Sequence, residues 1–389
     1  MHKILRTICA ILLALAAGSA AEEIEAIKIG VLYPLTGSGA VLGVPALMGH
    51  DMAVEEINTR GGIKGRPVVS IARDSKVKPA VAAAAARELI TREEVDVLIG
   101  GLSSAEGLAL SEVARQEKVV YIATIPKTVQ MTNEKFHKYV FRTAANTDTE
   151  ARAMARTSGQ LGIEKICQIQ FDYAYGHDLA AGFIAALPEE APGAEIVLDL
   201  KVKLGTADFN PYIAQIMASD CDGVASGLWG ANFINLAQQG KPFGLFDKVK
   251  FVSGGEIGAH EIAGKMKGDY PDNVWSNSYE LWYHDHVPQH KTFHDKLARR
   301  QGTRETSSWA VLGYIGVQFF EAAAARAGAV DGEALIAALE GLTVETPVGS
   351  RTLDPRTHEA NTGQFWGPMT KTEQYEFRIM DPVTYIPSE

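Results

Sequence analysis

Four groups of residues have the types and spacing that chemistry needs. The first is Gly37-Ser38-Gly39-Ala40-Val41-Leu42-Gly43, a GxGxxxG run behind the strand-like IKIGVL. Glycines at such a turn let backbone N–H groups approach a phosphate, as a dinucleotide-binding loop does. That loop starts directly at the strand end and is answered by an acid about 20 residues later. Here Tyr33-Pro34-Leu35-Thr36 intervene, and the acid ending the second strand, Asp74, stands 37 residues after Gly37. The dinucleotide reading is therefore set aside. The second group is His284, His286, His290 and His294. His290 and His294 fall i, i+4 on a predicted helix after Pro288 and could both reach a metal. The segment is polar throughout, so a solvated face is the favoured reading, with Phe293 and Leu297 as the core side.

The third group lies in GGLSSAEG (100–107), where Ser103 and Ser104 stand near a helix N-terminus. Free N–H groups, the helix dipole and a hydroxyl can converge there on a carboxylate, or either serine can simply cap the helix. The fourth is spread over three loops: Tyr173 and Tyr175 in FDYAYGHD, Trp229 in GLWGAN and Glu256 in SGGEIGAH. Each alone reads as packing or as a solvated acid. Together they set a carboxylate receptor opposite aromatic walls and one acid, which suits a small zwitterion with an apolar side chain. There is no GxSxG elbow, no HExxH and no cysteine with nucleophilic context, so an enzyme is not expected. No cofactor and no metal is expected either.

The elements that must position these groups alternate in type. IKIGVL, PVVSIARD, VDVLIG and VVYIAT read as strands, separated by helices over Pro45–Arg60, from Pro79 through AVAAAAARELI, and over Ala105–Glu117. Strands spaced by such helices imply parallel βαβ units. The pattern restarts after Arg142 with EKICQIQF, AEIVLDLKVK, DGVASGL and KVKFVSG as strands. Helices fall between them at Gly176–Leu187, Pro211–Ser219 and Ala231–Gln239. Long helical periods close the chain at Lys291–Gln301, Ser307–Gly328 and Gly332–Gly341. The expected fold is α/β, with two doubly wound parallel-sheet lobes and no flexible tether between them. In such sheets ligands bind beyond the carboxyl ends of the strands, where all of the loops above lie.

Residues 1–21 have the charged start, apolar stretch and small-residue end of a signal peptide, with cleavage expected before Glu22. Removing them loses Lys3 and Arg6 and no acid, so the net charge moves from −10 to −12. An acidic chain without a basic block is a poor partner for nucleic acid or anionic lipid. Cys167 and Cys221 remain after cleavage. An exported compartment would permit one bridge, but two buried free thiols are the favoured reading.

At this point the residues resemble a known family, the periplasmic solute-binding proteins of branched-chain amino acid ABC transporters. The resemblance covers essentially the whole mature chain. It is carried by IKIGVLYPLTGSGAVLG, INTRGGIKGRPV (57–68), DVLIGGLSS (96–104), FDYAYGHDLA (171–180) and TPVGSRTL (346–353). It implies a type I periplasmic binding fold whose lobes are joined by three hinge crossings, near 144, 279 and 345. The N-terminal lobe would comprise 22–144 and 280–345, the C-terminal lobe 145–279 and 346–389. The ligand's carboxylate and amino group would be held by Ser104 and by a hydroxyl in ATIPKTVQMT (123–132). Thr128 is the expected hydroxyl there, with Lys127 competing in register. Tyr175 matches a tyrosine before glycine, Trp229 stands where a tyrosine is common, and Glu256 matches the acid that meets the ligand's ammonium. Trp309 matches an aromatic of the side-chain pocket, and Leu42 replaces a tyrosine. The resemblance thus implies capture of a hydrophobic amino acid, branched-chain or aromatic, by a monomer that delivers it to permease subunits in the inner membrane. Relatives that bind aromatic carboxylates keep a benzoate, phenylpyruvate or hydroxycinnamate ligand open, and the same cleft would serve a sensory receptor.

Overall fold

Alternating strand and helix periods force parallel pairing, because each helix carries the chain back over the sheet before the next strand begins. The computed structural model describes residues 25–388, so the expected signal peptide lies outside the described residues. In the first lobe, β1 (Ile27–Tyr33), α1 (Ala40–Thr59), β2 (Val68–Asp74), α2 (Pro79–Thr91), β3 (Val97–Gly100), α3 (Ser104–Glu117), β4 (Val120–Ala123) and β5 (Val140–Arg142) follow one another. They build a parallel sheet in the order β2-β1-β3-β4-β5. The order reverses between β1 and β3, which opens a crevice between the loops that follow those strands.

The glycine run belongs to that crevice and serves there to pack a helix onto the loop after β1. Gly37–Gly39 form a turn of 3-10 helix that leads directly into α1, so the helix starts at Ala40, ahead of the expected Pro45. A Cβ on Gly43 would stand 2.2 Å from the Pro34 carbonyl oxygen, so glycine lets the helix pack onto the loop. Asp74 holds the same loop, accepting from the Leu35 N–H at 2.8 Å and the Thr36 hydroxyl at 2.5 Å.

The second lobe repeats the plan with α4 (Thr147–Gln160), β6 (Lys165–Phe171), α5 (Ala174–Glu190), β7 (Glu195–Val202), α6 (Asn210–Ala218) and β8 (Gly223–Ser226). α7 (Gly230–Gly240), α8 (Leu245–Lys248), β9 (Lys250–Ser253), α9 (His260–Met266) and β10 (Val274–Ser278) complete it. Helices α10 (Pro288–Gln301), α11 (Ala310–Ala327) and α12 (Gly332–Leu339) then return to the first lobe, as does the hairpin of β11 (Thr343–Thr346) and β12 (Gly349–Thr352). The chain ends on β13 (Gln364–Thr370), β14 (Ile379–Met380) and β15 (Thr384–Ile386). The second sheet runs β14-β13-β10-β9-β8-β6-β7, with β15 paired to β13. β13 pairs antiparallel to β10, while β6 to β10 are parallel. Its order reverses between β6 and β8, again where two site loops emerge.

Three passages join the lobes. Val344, Val348, Leu353 and Ala360 pack in the core of the first lobe, so the third passage follows Ala360 rather than lying near 345. It runs beside the first, the Thr362 hydroxyl donating to the Thr143 carbonyl at 2.7 Å. The two cysteines also depart from expectation. Cys167 and Cys221 form a disulfide, with Cα atoms 5.7 Å apart. Pairing of β6 with β8, Cys167 opposite Val224, brings Cys221 at the entry to β8 within reach.

Candidate functional site

The loops at the two reversal points face each other across the interlobe crevice and line a pocket between the lobes. Its walls include Leu42, Ser103, Ser104 and Trp309 from the first lobe, with Tyr173, Tyr175, Trp229 and Glu256 from the second. Leu102, Ile125 and Lys127 complete the lining. Eight of the nine residues singled out from the sequence thus meet in one place. The ninth, Thr128, is buried beside it, and its hydroxyl donates to Asp178 of α5 instead of facing the cavity.

At the first-lobe end, Gly100 and Gly101 adopt φ +128° and +84°, which swings the chain off β3 into α3. A Cβ on Gly101 would stand 2.6 Å from the Tyr121 hydroxyl. Ser103 is the N-cap of α3 in a full capping box, its hydroxyl bonded to the Glu106 N–H and its own N–H donating to the Glu106 carboxylate. The box leaves the N–H groups of Ser104 and Ala105 without an intrahelical acceptor. Ser104 Oγ accepts the Thr128 N–H at 3.1 Å. Its own proton has no protein acceptor among the described residues. A hydroxyl proton and two N–H groups at the positive end of a helix have the chemistry to receive a carboxylate.

The second-lobe end is aromatic. Trp229 Nε1 donates to the Tyr173 hydroxyl at 3.2 Å, and the Trp229 ring packs 5.5 Å from that of Phe171. Tyr173 and Tyr175 lie 6.1 Å apart. The Tyr175 hydroxyl donates to Glu150 at 2.5 Å. Trp309 closes the apolar side, its indole nitrogen buried without a partner among the described residues.

Glu256 lines the cavity with a left-handed backbone, φ +49°, and its N–H donates to Asn277 Oδ1 at 2.8 Å. Its carboxylate is not vacant. Oε1 receives the Lys127 ammonium, the Gln364 amide at 2.8 Å and the Asn277 amide at 3.3 Å. Lys127 also pairs with Glu150, and its ammonium lies 5.7 and 5.3 Å from the ring centres of Tyr175 and Tyr279. Burial opposes the lysine's charge, but the two carboxylates outweigh it and hold the ammonium protonated above its ordinary range. Burial pushes the Glu256 carboxyl above its ordinary range, with Lys127 pulling it down and Glu150 pushing it up.

The sequence reading named Lys127 only as a competitor of Thr128, and it passed over Glu150, Asn277 and Gln364. The three come from α4, β10 and β13, and the fold alone brings them to Glu256. The histidines also differ from expectation. The side chains of His290 and His294 are buried, not solvated. His290 bonds Glu280 at 2.7 Å and Asp285 at 2.8 Å, and His294 bonds Thr306 at 3.0 Å. Among the described residues no group of three or more His, Cys, Asp or Glu side chains is arranged to hold a metal ion.

Two doubly wound lobes, joined by three passages and closing on a cavity between them, define a bilobal solute-binding protein. The family model described as "Periplasmic binding protein" matches residues 26–370, and the chain belongs to that family. Leu/Ile/Val-binding protein homolog 6 of Brucella melitensis is 25% identical over 378 residues, covering 96% of this chain and 94% of its own. An ABC-transporter solute-binding protein of Rhodopseudomonas palustris, solved with 3,4-dihydroxybenzoic acid, superposes with a TM-score of 0.83 at 24% identity. It covers 93% of this chain and 98% of its own. LivJ of Streptococcus pneumoniae, solved with isoleucine, gives a TM-score of 0.80 at 21% identity, covering 93% of this chain and all of its own.

Proposed function

We propose that this protein is the periplasmic receptor of an ABC importer, closing on a small carboxylate with an apolar body and presenting it to permease subunits in the inner membrane. The observation that carries the reading is the open N-terminus of α3, with the Ser104 hydroxyl, facing flat aromatic and aliphatic walls. Trp229, Trp309, Leu42 and Tyr173 favour a planar aromatic acid of the benzoate type, the class held by the Rhodopseudomonas palustris neighbour. A hydrophobic amino acid is the second reading. Glu256 on the cavity wall favours it, as do the name of the Brucella relative and the isoleucine of the Streptococcus pneumoniae neighbour.

Catalysis forms no part of the reading: the ligand stabilises the closed form through contacts made only there. A thermal-shift screen of aliphatic acids, aromatic acids and amino acids tests it, since a ligand of the folded state raises the melting temperature by mass action. At least one small carboxylate is expected to raise it in proportion to the logarithm of its concentration. Silence across the panel would sink the proposal.

A further inference from the structure

We propose that Lys127 is an ammonium built into the cleft, and that it sets the ligand class: an apolar carboxylate without an amino group beside the carboxylate. The inference rests on reading the cleft as a carboxylate receptor. Lys127 immediately precedes Thr128, whose N–H bonds Ser104 Oγ at 3.1 Å, so its backbone adjoins the carboxylate-receiving end. From there its side chain, 6% exposed, runs to Glu256 and Glu150 on the opposite lobe. Two carboxylates and the faces of Tyr175 and Tyr279 surround its ammonium, the acceptors that an α-ammonium would seek.

An amino acid would have to evict this lysine or lie beside it. Eviction leaves a buried cation without its partners, and a second cation alongside meets a like charge in a poorly screened site. A simple carboxylate meets neither obstacle. The lysine also supplies what an amino acid's own ammonium would otherwise supply on closure. It belongs to the first lobe and its acceptors to the second, so the ion pairs form between the lobes whichever apolar acid is captured.

Matched ligands that differ only in the α-ammonium test the inference: 4-methylpentanoate against L-leucine and 3-phenylpropanoate against L-phenylalanine, with benzoate alongside, each titrated calorimetrically into the purified protein. The wild type is expected to bind each simple acid at least tenfold more tightly than its amino acid partner. Lys127→Ala is expected to gain at least tenfold for the amino acids and so narrow or invert the order. Because that variant leaves Glu150 and Glu256 without their cation and can fail to fold, Lys127→Ala/Glu150→Gln, which keeps Glu256 as the single carboxylate, is read in the same way. Wild-type binding of an amino acid as tight as its simple partner overturns the inference, as does a folded double variant that gains nothing. If neither member of either pair, nor benzoate, binds the wild type, the carboxylate reading itself falls and takes the inference with it.

Discussion

Ser103 and Ser104 are neighbours of the same type, both buried, yet the helix start gives them different work. The Ser103 hydroxyl satisfies a backbone N–H inside the capping box, so it acts on stability. Ser104, one residue on, has a proton to offer the cavity. Ser103→Ala should therefore lower stability by about 1 kcal/mol, the usual cost of losing an N-cap. Ser104→Ala should instead weaken the ligand by about 1.5–3 kcal/mol, the range for a hydrogen bond to a charged group. Chemical denaturation and calorimetric titration separate the two, and a larger binding loss in the Ser103 variant would reverse the assignment. The sequence could not divide these roles, since both residues fit a helix start equally well. It exposed Glu256 because an acid in a site loop is conspicuous, but its cation comes from a different lobe. No local pattern could show that Lys127 already occupies it.

Helices and strands were more legible than side-chain partners because their signals are local. Parallel strands and their intervening helices follow from period and length, and the two reversal points follow from that order. What escaped was contact between distant segments. Helices α1 and α11 approach so closely that a Cβ on Gly49 would stand 1.8 Å from the Ala310 carbonyl oxygen, and one on Gly313 would stand 1.9 Å from that of Ala46. Gly313→Ala should force the pair apart and destabilise the protein by about 1–3 kcal/mol, the cost of overpacking. Urea unfolding checks this, and an unchanged midpoint would refute it. The disulfide is a similar case, since the register of β6 on β8, unreadable from spacing, decides whether two cysteines meet. The bridge spans a separation of 54 residues. Reducing it, or replacing both cysteines with serine, should cost about 4 kcal/mol by loop-closure entropy.

At the scale of the whole molecule, the lobes meet through groups that titrate. Glu261 of α9 accepts from the Ser307 hydroxyl, which precedes α11 on the other lobe. Burial lifts its carboxyl to about 7, the Ser307 contact pulling it down and Glu280 pushing it up. An acid that binds its proton more tightly in the folded, closed form stabilises that form below its ordinary pKa, and the effect fades as pH rises through about 7. Melting temperature should thus fall between pH 5 and pH 8, and Glu261→Gln should flatten part of that slope, worth about 1–3 kcal/mol. An identical slope in the variant would rule Glu261 out as a source. Small-angle scattering at the same pH values reads closure directly.

The hinge carries a consequence of its own. Arg142, wholly buried at the end of β5, donates to the carbonyls of Lys127 and Thr128 and pairs with Glu359, just ahead of the third passage. One guanidinium thus rivets the pocket's floor to the axle on which the lobes turn. A change as remote as Glu359→Gln should then register in how fast the trap reopens, making ligand release a property of the hinge as much as of the pocket.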